Sequence, residues 1–254
     1  MKEELLELTR QLRRRVEQSH ESDFRAGDSS IPPRAESPAA PAAPAAVPSG
    51  KHARFSALAE TVAACRACPL GSQRLKAVFG VGSPDAEVLF VGEGPGFEED
   101  HRGEPFVGRS GQLLDKILES IGLSRPSVYI ANIVKCHPMK DPSDPEARAN
   151  DRPPTPEEIA ACRGFLDEQI RVIGPRVIVT LGSVPTRVLL GTSEAITGIR
   201  GQWRQYTPAG TDRPIPLLPT FHPAALLRNP NLKKDVWTDM KNLRAALARS
   251  PENP

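Results

Sequence analysis

The hydrophobic pattern of this chain switches between short continuous apolar runs and stripes with helical spacing. The apolar runs predict four buried strands, at residues 87–92, 128–136, 176–181 and 216–221. The stripes predict five helices, at residues 53–65, 110–122, 155–173, 184–190 and 232–247. Because strands that alternate with helices usually pair in parallel, we predict a three-layer α/β/α fold with a central four-stranded, mainly parallel sheet.

Two of the predicted helices carry recognisable end signals. Ser110 is placed to cap the start of one helix, and Gly122 follows its end. Thr155 begins another, and Glu158 three residues later completes a capping box. These signals fix where the chain turns between strand and helix.

The N-terminal part of the chain has a different pattern. Residues 1–25 are predicted to hold an amphipathic helix, whose apolar face carries Leu5, Leu8, Leu12 and Val16. An isolated helix of this length is marginal in water, which leaves two alternatives: a partly ordered terminus, or a helix that docks on a partner protein. Residues 26–52 are rich in proline and alanine, which is typical of a disordered linker. The folded domain is therefore predicted at residues 53–250.

Composition narrows the class of protein only slightly. The 254 residues carry 33 Lys and Arg against 31 Asp and Glu, a net charge of +2. A nucleic-acid partner is neither required nor excluded, because a local cationic face would be enough to bind one. The chain shows no apolar run of membrane-spanning length and no signal-peptide core. We therefore expect a soluble, monomeric protein of the bacterial cytosol with no membrane partner.

Three of the predicted strands end in unusual sequences. Because the carboxyl ends of parallel strands bind ligands, these ends are the first place to look for a site. The first strand runs into GEGPG at residues 92–96. A dinucleotide fingerprint would need glycine where Phe97 stands, and Pro95 lacks an N–H for a phosphate. The motif is either a plain tight turn or a place where backbone approaches a ligand.

The other two strand ends carry polar side chains. Asn132 lies within an apolar strand, where its amide is costly unless it is satisfied; it either bridges two loops or binds a ligand. His222 precedes a proline at the mouth of the sheet, where it could serve a structural role or donate to developing negative charge.

A basic and apolar segment follows His222. Arg228 is followed by Lys233 and Lys234, a cluster suited to phosphate contacts. Leu226 and Leu227 are either ordinary core residues or a wedge that fills the gap left by an extruded base.

The four cysteines form one CxxC pair and two single positions. They are Cys65, Cys68, Cys136 and Cys162. Disulfides are the weaker interpretation for a cytosolic protein of this size. Four thiolates can hold zinc or a [4Fe–4S] cluster, and a zinc ribbon would usually bring two CxxC pairs. The pattern mildly favours the cluster over zinc or over four unligated thiols.

Taken together and in order, the motifs resemble family 4 uracil-DNA glycosylases, the iron–sulfur type of that superfamily. The resemblance covers residues 65–247 and rests on CRACPLG, GEGPG, EPFVGRSGQLLD, NIVKC, IAAC, PRVIVTLGS and HPAALLRNP. It implies the uracil-DNA glycosylase fold. It also implies a monofunctional enzyme that flips uracil out of single- or double-stranded DNA and hydrolyses its N-glycosidic bond.

The resemblance assigns a role to each candidate site residue. It makes Glu93 and His222 catalytic: Glu93 holds the attacking water, and His222 stabilises the charge on O2 of the leaving uracil. It assigns base binding to Gly92, Gly94, Glu99, Phe106 and Asn132. Within that set Phe106 stacks on uracil, Asn132 reads its polar edge, and Glu99 crowds the position of the thymine methyl. It assigns DNA binding to Leu226, Leu227 and Arg228.

The resemblance also implies a [4Fe–4S] cluster held by the four cysteines. Gly94 stands where other uracil-DNA glycosylases have Asp, so the general base stays open: either Glu93 orients water, or leaving-group stabilisation does most of the work. The segment between Cys136 and Cys162 is longer than the family pattern and contains DPSDPEARANDRPP. Its path therefore stays open as well.

Two alternative functions remain at this point. One is a relative that traps uracil-DNA covalently through a basic, histidine-containing insertion. After Cys136 this chain has His137 but no further basic run, which argues against trapping. The other is a non-catalytic DNA-binding module, associated with a polymerase through the N-terminal helix. Such a module would bind DNA without forming abasic sites.

Overall fold

The structure, a computed structural model, describes residues 50–249. The predicted N-terminal helix and nearly all of the predicted linker lie outside these residues. The first described helix begins at Lys51, two residues before the predicted domain boundary at residue 53.

A six-stranded sheet forms the centre of the fold. Its strands are β1 Val81–Gly82, β2 Val88–Gly92, β3 Tyr129–Asn132, β4 Val177–Leu181, β5 Arg204–Tyr206 and β6 Ile215–Thr220. They lie in the order β1-β3-β2-β4-β6-β5. The four central strands are parallel, and β1 and β5 are antiparallel edges. The predicted four-stranded parallel core is confirmed, with two short edge strands added.

One predicted strand is much shorter than expected. The apolar run over 128–136 pairs with β2 only as far as Asn132. Residues 133–136 are buried as well, so hydrophobicity continues beyond the point where the strand ends. The chain there leaves the sheet and carries Lys135 and Cys136 towards the other cysteines.

Helices cover both faces of the sheet. In chain order they are α1 Lys51–Ala64, α2 Leu70–Gln73, α3 Phe97–Arg102, α4 Arg109–Glu119, α5 Pro156–Ile173, α6 Ser183–Leu190, α7 Ile196–Ile199, α8 Pro223–Arg228 and α9 Lys233–Leu247, with 3₁₀ turns at Arg125–Ser127 and Pro230–Leu232. Leu89 on β2 packs towards Leu166 of α5, whereas the next residue, Phe90, packs towards Leu114 of α4 and Met240 of α9. This alternation produces the three predicted layers. None of the helices within residues 50–249 combines the length and apolarity that a membrane crossing requires.

The helix ends confirm one capping prediction and correct another. In α5, the N–H of Glu158 donates to Thr155 Oγ1 at 3.3 Å, and the N–H of Thr155 donates to Glu158 Oε2 at 2.8 Å. In α4, the N-cap is Gly108, not Ser110. A side chain from another element holds this start, because Glu99 Oε1 accepts the N–H groups of Val107 and Gly108 at 2.9 and 3.1 Å.

Candidate active site

The carboxyl ends of the parallel strands open into a cleft of about 550 Å³. This volume lies within the usual range for small-ligand sites. The structure brings most of the sequence-predicted site residues to its walls, namely Glu93, Gly94, Glu99, Phe106, Asn132, His222 and Arg228. These residues come from distant parts of the chain, so the topology of the sheet gathers them.

Asn132 is the last residue of β3, and its side chain is 2% exposed. Its Oδ1 has no hydrogen-bond partner among the described residues. A buried acceptor without a partner is costly, and this oxygen makes no structural bridge between loops among the described residues. The space around it depends on Gly92, since a Cβ at that position would overlap Asn132 Oδ1 and lie 2.6 Å from Phe106 Cζ.

His222 precedes α8 and caps its start. The N–H of Ala224 donates to His222 Nδ1 at 3.1 Å, so the ring proton resides on Nε2. Burial lowers the pKa of His222 to about 4, and the charge of Arg228 adds to this effect. At neutral pH, His222 is therefore a neutral imidazole whose Nε2–H is free to donate.

Phe106 lies beside His222, with ring centroids 5.5 Å apart and planes tilted by 31°. Its backbone has φ of 56°, the left-handed region that a bulky residue rarely adopts. Arg125 holds it there, donating to the carbonyls of Pro105 and Phe106 while pairing with Asp115 at 2.6 Å. The strained backbone presents the aromatic ring to the cleft.

Two acidic side chains lie on the GEGPG side of the cleft. Glu93 is partly buried, and this burial raises the pKa of its carboxyl group. Glu99 has a clear structural role, because besides its bonds to the start of α4 its Oε2 accepts the N–H of Gly96 at 3.2 Å. It thereby ties the loop before α3 to the loop that carries Phe106. Its predicted contact with the thymine methyl position stays a prediction.

One wall of the cleft could not be predicted from the sequence pattern. It is built by the segment between two cysteines, through Pro138, Asp151, Arg152, Pro153 and Pro154. The segment folds back on itself: the N–H of Lys140 donates to the carbonyl of Asn150 at 2.8 Å, and Met139 and Asp151 form a bridge. Its prolines indicated only a loop. Gly182 and Ser183, which follow β4, also line the cleft, and the glycine after a predicted strand was the available signal.

A buried histidine holds this wall in place. His137 is 1% exposed and its Nε2 lies 2.7 Å from Asp151 Oδ1. Burial opposes the protonation of His137, but the carboxylates of Asp100 and Asp151 outweigh it and raise its pKa to about 9. The same contact lowers the pKa of Asp151. Asp151 is thus an anion on the wall of the cleft.

The predicted pair Leu226 and Leu227 separates into two environments. Leu226 is 1% exposed and packs in the core, so its predicted DNA contact is wrong. Leu227 is 42% exposed and remains available. Adjacent residues of a helix point in different directions, which explains the split. Arg228 lines the cleft, and Lys233 and Lys234 are on the surface beyond it.

The four cysteines line a second, small cavity beside the end of α1. All four are free thiols in the structure. Three of the sulfurs accept hydrogen bonds: Arg74 Nη1 donates to Cys136 Sγ at 2.8 Å, the N–H of Lys135 to Cys162 Sγ at 3.3 Å, and the N–H of Ala67 to Cys65 Sγ at 3.5 Å. Such donors stabilise thiolates and metal-bound sulfur.

The fold and the cleft together define an α/β protein with a cleft at the carboxyl ends of its parallel strands, lined by polar side chains and by the ring of Phe106. A family model described as "Uracil DNA glycosylase superfamily" matches residues 79–241. A type-4 uracil-DNA glycosylase of Sulfurisphaera tokodaii is 42% identical over 198 residues, covering 76% of this chain and 84% of the relative. A type-4 enzyme of Thermotoga maritima is 42% identical over 195 residues, covering 76% and 94%.

A type-5 uracil-DNA glycosylase of Thermus thermophilus is less similar, with 30% identity over 202 residues, 65% of this chain and 85% of the relative. The chain belongs to the uracil-DNA glycosylase superfamily and, within it, to the type-4 family.

Proposed function

We propose that this protein removes uracil from DNA by hydrolysing the N-glycosidic bond after the base is flipped into the cleft, which leaves an abasic site. The observation that carries the proposal is the buried, unpartnered Oδ1 of Asn132 beside the ring of Phe106. Uracil presents an N3–H donor and an O4 acceptor, which match the carbonyl and amino groups of an Asn side chain. Cytosine presents the opposite pattern. Asn132 therefore distinguishes the two bases.

His222 provides the second step, stabilisation of the leaving group. As the bond from C1′ to N1 breaks, uracil keeps the electron pair and negative charge spreads to O2. A neutral His222 with its proton on Nε2 can donate a hydrogen bond to that oxygen. A charged donor would first have to lose its hydration, and the neutral imidazole does not carry that cost. One well-placed donor of this kind contributes roughly 3 kcal/mol or more to catalysis.

The sugar, which becomes electron-poor as uracil leaves, needs negative charge and a water molecule. Glu93 and Asp151 both lie on the walls of the cleft. An anion near the sugar stabilises an oxocarbenium-like state, and a carboxylate can orient the water whose oxygen bonds to C1′. We assign water orientation to Glu93, as the sequence predicts, and add Asp151 as a second anion.

We propose further that the cysteine cavity holds a [4Fe–4S] cluster. Four thiolates can hold zinc or the larger [4Fe–4S] cluster, but a zinc ribbon would usually bring two CxxC pairs, and this chain has one. The cavity with four thiols and the donors Arg74 and Lys135 fits the larger group. When bound, the cluster would cross-link α1, α5 and the segment after β3.

The biological setting is also part of the proposal. We propose that the substrate is uracil in single- or double-stranded DNA and that the enzyme works as a monomer in the cytosol. Residues 1–25 are proposed to dock on a partner protein, with residues 26–52 as a linker to a domain over 53–250.

The covalent trap is not favoured. His137 is buried between Asp100 and Asp151, at 3.7 and 2.7 Å. It is not among the residues that line the cleft, so it cannot reach a sugar without dismantling that wall.

One assay tests the proposed function. Purified protein is incubated with an oligonucleotide that contains one uracil, and the product is treated with alkali. Cleavage at the uracil position is expected, and a matched oligonucleotide with thymine should remain intact. Stable binding without alkali-labile sites would instead identify a non-catalytic DNA-binding module.

A further inference from the structure

Lys135 is a buried cation with an unusual set of partners. Its side chain is 1% exposed. Its Nζ donates to the backbone carbonyl of Asn132 at 2.8 Å and to Gln169 Oε1 at 2.6 Å. Neither partner is a carboxylate. Burying an ammonium group is costly even when it is hydrogen-bonded, so a smaller or apolar side chain would be expected here if the position served packing alone.

The carbonyl that Lys135 binds belongs to the residue that reads the base. Asn132 is the final residue of β3, and the next residue, Ile133, still donates its N–H to the carbonyl of Gly92 at 3.0 Å. Beyond this point the chain leaves the sheet. Lys135 Nζ gives the Asn132 carbonyl a donor and so fixes the peptide plane between residues 132 and 133, next to the Cα from which the Asn132 side chain projects.

Gln169 anchors the other end of this arrangement. It lies on α5 and is fully buried. Its Nε2 donates to the carbonyl of Phe79 at 2.9 Å and lies 3.3 Å from the hydroxyl of Tyr129. Because Gln169 is held on two sides, the ammonium of Lys135 has little freedom, and neither does the carbonyl that it binds.

We propose that Lys135 is a positioning residue for uracil recognition: it fixes the backbone of Asn132 so that the side-chain amide faces the base. The proposal rests on the function proposed above, since it concerns the same pocket. A misplacement of about 0.5 Å is enough to weaken a recognition site, and on the side of Gly92 the Asn132 side chain has no room to shift.

The backbone of Lys135 makes separate contacts that a side-chain substitution leaves in place. Its N–H binds Cys162 Sγ at 3.3 Å, and its carbonyl accepts the N–H of Val78 at 2.8 Å. Lys135→Met therefore removes the donor to Asn132 while keeping an unbranched side chain of similar length. Lys135→Arg keeps a donor and is the conservative variant.

The test is a double-mutant cycle between Lys135→Met and Asn132→Ala, measured as single-turnover excision of uracil. If Lys135 acts through Asn132, Lys135→Met slows excision at least tenfold in the wild-type background and less than twofold in the Asn132→Ala background. Lys135→Arg should restore much of the loss. Equal losses in both backgrounds would show that Lys135 is merely structural and would overturn the proposal.

Two further measurements separate a specific effect on excision from misfolding or from a general loss of DNA binding. Circular dichroism and affinity for uracil-free DNA should match wild type for each variant; if Lys135→Met does not fold, Gln169→Leu, which frees the ammonium, takes its place in the cycle. If the wild-type protein cuts no uracil, the proposed function fails. The cycle is then measured as binding to DNA that carries non-cleavable 2′-fluoro-deoxyuridine, where additive losses again overturn the role of Lys135.

Discussion

Gly92 and Asn132 face each other across β2 and β3 so closely that a Cβ on Gly92 would overlap Oδ1 of Asn132. The same Cβ would press on the ring of Phe106. One missing methyl group therefore leaves room for both the amide and the aromatic surface of the base pocket. Gly92 therefore affects recognition of the base indirectly, through the positions of Asn132 and Phe106.

We expect Gly92→Ala to lower uracil excision at least tenfold, because Asn132 and Phe106 must both shift. The loss should appear mainly in single-turnover rate. Gly164→Ala is a matched control: it lies within α5, where a Cβ meets nothing within 4 Å, and Ala favours a helix over Gly. Unchanged excision by Gly92→Ala would mean that the Asn132 pocket is not where the base binds.

Phe106→Leu should reduce excision by roughly 5- to 150-fold, since stacking of a base on an aromatic ring is worth about 1–3 kcal/mol. Phe106→Tyr should retain most activity. The comparison is made with single-stranded uracil DNA under single-turnover conditions. A Leu variant as active as the Tyr variant would remove stacking from the proposed mechanism.

His222 makes a prediction about stability as a function of pH. Its folded pKa of about 4 lies below the ordinary value of 6.5, so the unfolded chain binds a proton that the folded protein resists. This contribution destabilises the fold progressively as pH falls from 6.5 towards 4 and is absent above 6.5. Urea unfolding at pH 7 and pH 5 should show His222→Gln gaining stability relative to wild type at the lower pH. An equal difference at both pH values would contradict the buried neutral imidazole.

His222→Gln should also slow excision at least tenfold at pH 7.5. The wild-type pH profile should show no inflection near 6.5 from this residue, because His222 stays neutral well below that pH. A His222-dependent inflection near 6.5, seen in the ratio of wild-type to His222→Gln rates, would argue that the imidazole acts as an ordinary titrating group.

The exposed cations beyond the cleft should contact DNA phosphates. We expect Lys233→Ala combined with Lys234→Ala to weaken binding of uracil-free DNA. The slope of log K against log salt concentration should become less steep by about 2. Arg171→Ala is the control, because it removes an exposed cation in the last turn of α5. This turn leads into the start of β4, at the amino ends of the parallel strands and away from the cleft. Equal effects of the two changes per charge removed would exclude a localised DNA track.

The cysteine cavity predicts iron rather than zinc. Purified protein should be brown, absorb visible light and contain about four irons per chain if a [4Fe–4S] cluster is bound. Cys162→Ala should remove the colour and lower the melting temperature. Zinc in elemental analysis would exclude the cluster and leave the glycosylase assignment intact.

Much of the fold could be predicted because the central strands are continuous apolar runs. The edge strands β1 and β5 could not, since strands of two or three residues are too short to show a periodic signal. Asn132 and His222 were predictable because the ends of parallel strands converge. Ser110 was misassigned because Glu99, an acceptor from a different element, supports the start of α4.

The other differences between the predicted and the observed site arise where the position of a residue depends on the tertiary path of the chain. Asp151 and Arg152 follow a proline-rich stretch whose route over the cleft is set by hydrogen bonds within the loop. Leu226 and Leu227 are identical in character, and only the direction of the helix that carries them separates core from surface.

The segment between Cys136 and Cys162 is closed at its neck by Lys140 and Asn150, while residues 141–144 beyond that neck are exposed. Because the neck is closed by its own hydrogen bond, changes at residues 141–144 should not move Asp151 and Arg152 in the wall of the cleft. Insertions, deletions or a fluorescent label at Ser143 should therefore be tolerated. A dye placed there would lie outside the base pocket, because Ser143 is not among the residues that line the cleft, so the loop offers a labelling position that leaves the site intact.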